Sequence, residues 1–258
     1  VIFTARTALP AERLCAGLEA ATAKLADLVA RNDQDQPIPA CPDWTLRQLA
    51  THVGRAHRWA AEIVDIRSTQ FIEFRSVPDG KSPAGADAQA SWLAAGAARL
   101  IDAVRAAGDD QVWAFTTIAP ASFWSRRMVH ETLVHLADVQ LALGEVTEIP
   151  ADLAADAIDE WLTVMSPLNH GGNDLASILP AGTAIGVQVT GPERAWQLGH
   201  SADGVRVLPG LGTGDVTLAG PAADVLLVLM RRMSATSPSV LVSGDAALLD
   251  RWLELTAF

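Results

Sequence analysis

The chain has 258 residues, half of them apolar and 19% charged, with a formal net charge of −11. That length allows one large domain or two modest ones, and the composition supports a buried core. The net charge has the wrong sign for a nucleic-acid surface, which needs clustered Lys and Arg, so no nucleic-acid partner is expected, and no apolar run is long enough for a membrane span.

Val1 to Pro10 carries no basic flank followed by an apolar stretch, so it does not read as a signal peptide. The helical periodicity then begins. Leu14, Leu18, Ala21, Leu25 and Leu28 fall on one face of a helix over about residues 10–30. A breaker-rich segment, Asn32 to Pro42, separates it from a second helix with a clear start. Thr45 is placed to cap it, Gln48 answers three residues on, and Trp44 and Leu49 are spaced for a hydrophobic staple. This helix runs to about Asp65. Arg67 to Gly85 reads as a long loop. A third helix covers about Asp87 to Ala106, and a fourth runs from about Ala121 through Leu143 to a stop at Gly144. Four such helices make a four-helix bundle.

After Pro150 the pattern changes. A helix from Ala151 to Met165 precedes short β-like runs at Ala184–Thr190, Ala195–His200, Val205–Leu208 and Val216–Ala219, with turn signals at Gly191-Pro192 and Asp203-Gly204. A helix Ala222–Arg232, a strand Ser239–Val242 and a helix Ala246–Leu255 close the chain. The expected architecture is α plus α+β, with domains at 1–150 and 151–258.

Two cysteines, Cys15 and Cys41, are too few for a disulfide framework and fit a reducing, cytoplasmic setting; each reads as a small buried apolar side chain. The absence of tyrosine removes one common general acid.

The histidines are the informative residues. Glu131 and His135 are four apart and share a helix face. His52 shares a face with Leu49, Ala56, Trp59 and Ile63, so it should point into the bundle. Inward His and Glu from facing helices are how bundles build metal centres. Three such ligands leave a coordination position open, as catalytic centres do. On spacing alone, a hydrogen-bonded core histidine and a solvated Glu/His pair fit as well. His130 lies about 100° around its helix from Glu131, and His57 about 140° from His52, so both read as structural or supporting. Asp138 is placed to orient His135 or a substrate group, or to act as an interhelix charge.

Two segments carry a resemblance. Cys41-Pro42-Asp43-Trp44-Thr45 with Leu49-Ala50-Thr51-His52, and Arg126-Arg127-Met128-Val129-His130-Glu131-Thr132-Leu133-Val134-His135 with Asp138, resemble signatures of the mycothiol-dependent maleylpyruvate isomerase family, part of the DinB-like bundle superfamily. Thr190-Gly191-Pro192, Trp196, Gly220-Pro221-Ala222-Ala223-Asp224 with Leu226-Leu227, and Ser243-Gly244-Asp245 resemble its sterol-carrier-like second domain. The resemblance implies a divalent metal, zinc first, held by His52, Glu131 and His135; iron, nickel, manganese and cobalt accept similar donors. It also implies mycothiol, a low-molecular-weight thiol, as cosubstrate for a small-molecule substrate. The implied chemistry is cis–trans isomerisation of a maleylpyruvate-like acid or thiol S-transfer. Arg231 and Arg232, at the end of the second-domain helix, are candidates for holding substrate carboxylates, with a favourable charge at a helix C-terminus as the alternative role. Arg126 and Arg127 are lesser candidates. The chain departs from the family at Leu136 and Ala137, where bulkier Arg and Trp are common, which implies a more open pocket wall. Two other readings stay open: a biosynthetic enzyme of this fold catalysing another reaction, such as a cyclisation, with or without metal; and a non-enzymatic small-molecule binding protein.

Overall fold

The computed structural model describes residues 9–165, 179–201, 204–210 and 214–256. They divide into two compact units, Leu9–Glu148 and Ile149 onward. No described helix is long and apolar enough to cross a membrane.

The first unit is a bundle of α1 (Ala11–Arg31), α2 (Leu46–Asp65), α3 (Ala86–Ala107) and α4 (Ser122–Ala142). The apolar stripe expected on α1 is buried along its length, each leucine contributing roughly 1.5–3 kcal/mol of burial. α2 opens as its sequence requires. Gln48 N–H donates to Thr45 Oγ1 at 3.5 Å, and Thr45 N–H donates to Gln48 Oε1 at 2.8 Å, a reciprocal cap that satisfies two otherwise orphaned donors. α2 and α3 pack closely because residue 54 is glycine: a Cβ there would run into the Trp92 ring. The loop into α2 folds back on itself, with Ile38 N–H donating to Trp44 O at 2.9 Å and Trp44 N–H to Cys41 O at 3.0 Å. This places Cys41 and Trp44 beside the first turns of α2.

A two-stranded hairpin, β1 (Gln111–Ala114) and β2 (Thr117–Pro120), precedes α4. The sequence reading assigns no element there, because strands this short show no usable periodicity. The hairpin packs against residues outside it, one on α2 and one at the start of α4. Trp113 packs edge-on against Trp59 of α2 at 5.6 Å between ring centroids, and Trp124 of α4 donates through Nε1 to Trp113 O at 2.8 Å. α4 is buried nearly all round. It ends at Leu143 and Gly144, whose φ of +70° suits glycine at a helix stop.

The second unit carries α5 (Ala151–Glu160), which continues as a single π-helical stretch, Trp161–Met165. Its sheet runs in the order β5 (Gly204–Pro209), β4 (Arg194–Ser201), β3 (Ala184–Thr190), β6 (Val216–Pro221), β7 (Leu241–Gly244). β3 and β6 are parallel and the other pairs antiparallel. α6 (Ala222–Leu229) and α7 (Ala246–Leu255) are the remaining helices among the described residues of this unit. Trp196 Nε1 donates to Asp159 Oδ1 at 2.9 Å, tying sheet to α5. The α+β expectation holds in its main lines. α6 stops three residues short of the expected Arg232, because the chain turns at Met230 and Arg231 takes a φ of +62°. β7 starts two residues later than expected. The expected Asp203-Gly204 turn begins outside the described residues.

Candidate metal centre

α2 and α4 each contribute to one cluster. His52 Nε2 lies 2.8 Å from Glu131 Oε1, and His135 Nε2 lies 3.3 Å from the same oxygen. The three ligand atoms all fall within 4.8 Å of one another. The two imidazoles stand at 78° with centroids 5.1 Å apart. Ligands at the usual zinc distances sit about 3.3 Å apart in a tetrahedral shell. The His135–Glu131 edge matches that spacing, the His52–Glu131 edge is a few tenths of an ångström shorter, and all three atoms lie within reach of one divalent ion. The donor set, two neutral nitrogens and one carboxylate oxygen, suits zinc and its neighbours.

The surroundings fix the orientation of each ligand. His135 Nδ1 donates to Asp138 Oδ2 at 2.9 Å, and Asp138 is wholly buried. That bond leaves Nε2 facing Glu131, as in histidine ligands held by an outer carboxylate. Cys41 donates its S–H to the same Asp138 oxygen at 3.4 Å. Arg127 Nη2 bonds Glu131 Oε2, one turn along α4, so the other oxygen of Glu131 is the one presented to the imidazoles. Trp44 walls the site, its ring 4.9 Å from that of His52 and 6.2 Å from that of His135.

The charges follow from this packing. Burial alone would raise the Glu131 carboxyl, but the Arg127 cation and hydrogen bonds from His135 and His52 outweigh it and hold the group well below the carboxylate range. Burial alone would lower His135, but the hydrogen bond to Asp138, with Cys41 and Glu131 beside it, carries it well above the usual imidazole value.

Cys41, His135 and Asp138 form a second set with metal-ligand spacing. It uses Nδ1 of His135, which the bond to Asp138 already occupies. The Nε2 side is more open, since the His52 side chain keeps 40% of its exposure.

Several expectations need correction. Cys41 is half-buried and hydrogen-bonded beside the cluster, not a bland apolar filler. Its place just ahead of the α2 cap was the available signal. Arg127 is committed to Glu131 and is not a cation waiting for substrate. Leu136 and Ala137 are buried in the bundle at 1% and 0% exposure, so they leave no opening in a pocket wall. Cys15, by contrast, is buried as expected, and burial pushes its thiol up against an opposing hydrogen bond with Ser125. His130 is buried as well. His57, one turn from the cluster, donates from Nε2 to Thr132 Oγ1 at 2.8 Å, while Thr132 donates onward to Met128 O at 2.7 Å. It is a structural histidine. Arg231 and Arg232 lie in the second unit, just past α6, where Arg232 donates to Met230 O at 2.7 Å.

Residues 15–140 match the profile of the mycothiol maleylpyruvate isomerase N-terminal domain, and residues 152–251 match that of the MDMPI C-terminal domain. The chain belongs to the mycothiol maleylpyruvate isomerase family. No curated protein matches the sequence. Two solved structures share the family fold: a mycothiol-dependent maleylpyruvate isomerase and a histidine-to-alanine mutant of it. Each is 16% identical, with a TM-score of 0.58, over 91% of this chain and 93% of that one. Similarity at that identity speaks for the fold; the chemistry has to come from the side chains.

Proposed function

We propose that this protein is a metal-dependent enzyme that uses a low-molecular-weight thiol, mycothiol, to isomerise a cis alkene conjugated to a carbonyl. The observation that carries the reading is the convergence of His52, Glu131 and His135, whose ligand atoms lie within 4.8 Å of one another with the His52 side chain 40% exposed. Membership of the isomerase family supports the reaction class.

In this reading His52, Glu131 and His135 would hold the ion. A divalent ion there would supply positive charge that favours the thiolate form of the thiol at neutral pH. Asp138 is a positioning residue: it holds the proton on His135 Nδ1 and keeps the lone pair on Nε2. Arg127 holds Glu131 ionised and fixes its second oxygen. Trp44 covers one flank and restricts water. The thiolate forms a C–S bond to the alkene, and the π electrons move onto the carbonyl oxygen. The former double bond is then single and rotates. Return of the electrons breaks the C–S bond, releases the thiol and leaves the trans isomer. Arg231 and Arg232 are our candidates for holding the substrate carboxylates.

The test combines two measurements. Elemental analysis of the purified protein should give about one divalent ion per chain, and cis-to-trans conversion of maleylpyruvate should require mycothiol. Equal, substoichiometric metal in wild type and His52→Ala would remove the centre. Conversion independent of any thiol would remove the reaction.

A further inference from the structure

The first unit holds a second feature that the thiol chemistry does not use. A groove of about 1080 Å³ runs between α2 and the loop at residues 74–84, and none of the metal-centre ligands lines it. Arg47, Arg55, Arg75 and Lys81 do line it. In a chain with a net charge of −11 and only two lysines, this gathering of cations is out of proportion. The other described Lys and Arg side chains of this unit are engaged. Lys24, Arg31, Arg58, Arg67, Arg99, Arg105 and Arg127 all hold carboxylates, and Arg13 and Arg126 have interactions of their own. The side chains of the four groove cations make no ion pair or hydrogen bond to the described protein. The one carboxylate among the lining residues, Asp79, accepts from the buried Arg58 at 3.2 Å and so is already matched.

The groove is also built rather than incidental. Arg58 is 3% exposed, lies 4.1 Å over the Trp92 ring, and bonds Asp79 from below, while Trp92 Nε1 donates to Asp79 O at 3.0 Å. The buried Gln89 of α3 bridges the two walls, with Nε2 placed 3.0 Å from Thr51 Oγ1 and 2.9 Å from Ser82 Oγ. Phe74 lines the groove at 42% exposure and is backed by Trp59, stacked at 4.3 Å and 16°. The lining thus offers an aromatic ring on a rigid backing and four like charges without counter-charge.

Like charges held near one another repel unless an anion joins them. Guanidinium groups match carboxylate and phosphate oxygens in pairs, and an exposed aromatic face stacks flat rings. We propose that this groove is a binding site for a small ligand that carries a flat ring and two or more negative charges, a nucleoside phosphate or an aromatic polycarboxylate. The site is separate from the metal centre, and it stands or falls independently of the thiol reaction.

The experiment is calorimetric titration of the full chain, stripped of metal by chelation, with adenosine diphosphate, benzene-1,3,5-tricarboxylate and inorganic pyrophosphate. At least one ring-bearing probe should bind, and its affinity should fall as salt rises. Arg47→Ala/Arg55→Ala and Arg75→Ala/Lys81→Ala should each weaken it by about tenfold or more. These are exposed positions, so melting temperature should stay near that of wild type. Phe74→Ala should weaken the ring-bearing probe and leave pyrophosphate unchanged. His52→Ala should bind as wild type does. Whichever of the first two probes binds more tightly identifies the source of the anion. Absence of binding by both, or equal affinity in wild type and the charge variants, overturns the site. Pyrophosphate binding as tightly as the ring-bearing probes overturns the role of Phe74. Loss of binding in His52→Ala overturns its separation from the metal centre.

Discussion

Two places where α2 meets α4 hold histidines, and their environments drive them in opposite directions. At His57 the ring is fully buried with a neutral hydroxyl as partner. Burial there, helped by the neighbouring Arg58 charge, pushes the imidazole down to about 3. One turn away, burial acts on His135 in the same sense but loses to the Asp138 hydrogen bond and the Glu131 carboxylate, and the imidazole goes up. The same side chain on the same pair of helices is a neutral strut in one place and a charge-coupled ligand candidate in the other. The difference lies in which polar partners share its burial.

The widest test of this contrast is pH. A histidine with a depressed folded value contributes stability above its unfolded value of 6.5 and loses it as pH falls toward about 3, a span worth ~5 kcal/mol. His135, with a raised value, contributes below its unfolded value and loses that contribution as pH rises through the folded one. Chemical denaturation of metal-free protein should therefore show an acid limb that becomes shallower by about one proton in His57→Gln. An unchanged limb would mean that His57 titrates normally.

At the metal centre, His52→Ala should cut thiol-dependent turnover by at least about a hundredfold and abolish metal retention, because it removes a third of the donor set. His57→Gln should leave metal content as it is, which separates the two regions directly. A finer probe is Asp138→Asn, which keeps the shape but removes the charge behind His135. Competition with a chelator should show metal affinity about tenfold to a hundredfold lower. The smallest effect is expected at the strut. Thr132→Val deprives His57 Nε2–H of its acceptor at constant volume and should cost about 1 kcal/mol or somewhat more in urea denaturation, with metal content unchanged. Metal loss in Thr132→Val would show that the two regions are coupled.

Much of this was open to sequence reasoning, for local reasons. The α1 stripe, the Thr45–Gln48 cap and the Gly144 stop are set by neighbours within a turn or two, and the helices begin and end within a residue or two of where those signals place them. The i, i+4 spacing of Glu131 and His135 likewise guarantees a shared face. Long-range packing decided the rest. The β1–β2 hairpin packs through Trp113 against Trp59, more than fifty residues earlier on α2. Cys41 reaches Asp138, 97 residues further on, through folding that a one-dimensional pattern does not encode, whereas the Arg127–Glu131 pair has the same i, i+4 spacing and is local. The groove draws its cations from α2 and from a loop twenty or more residues further on. Sequence alone determined which faces would be buried and which residues could share a face, since those depend on helical geometry. Tertiary structure alone decided which charges on different elements meet and which are left without a counter-charge, since that depends on the three-dimensional sum of the whole unit.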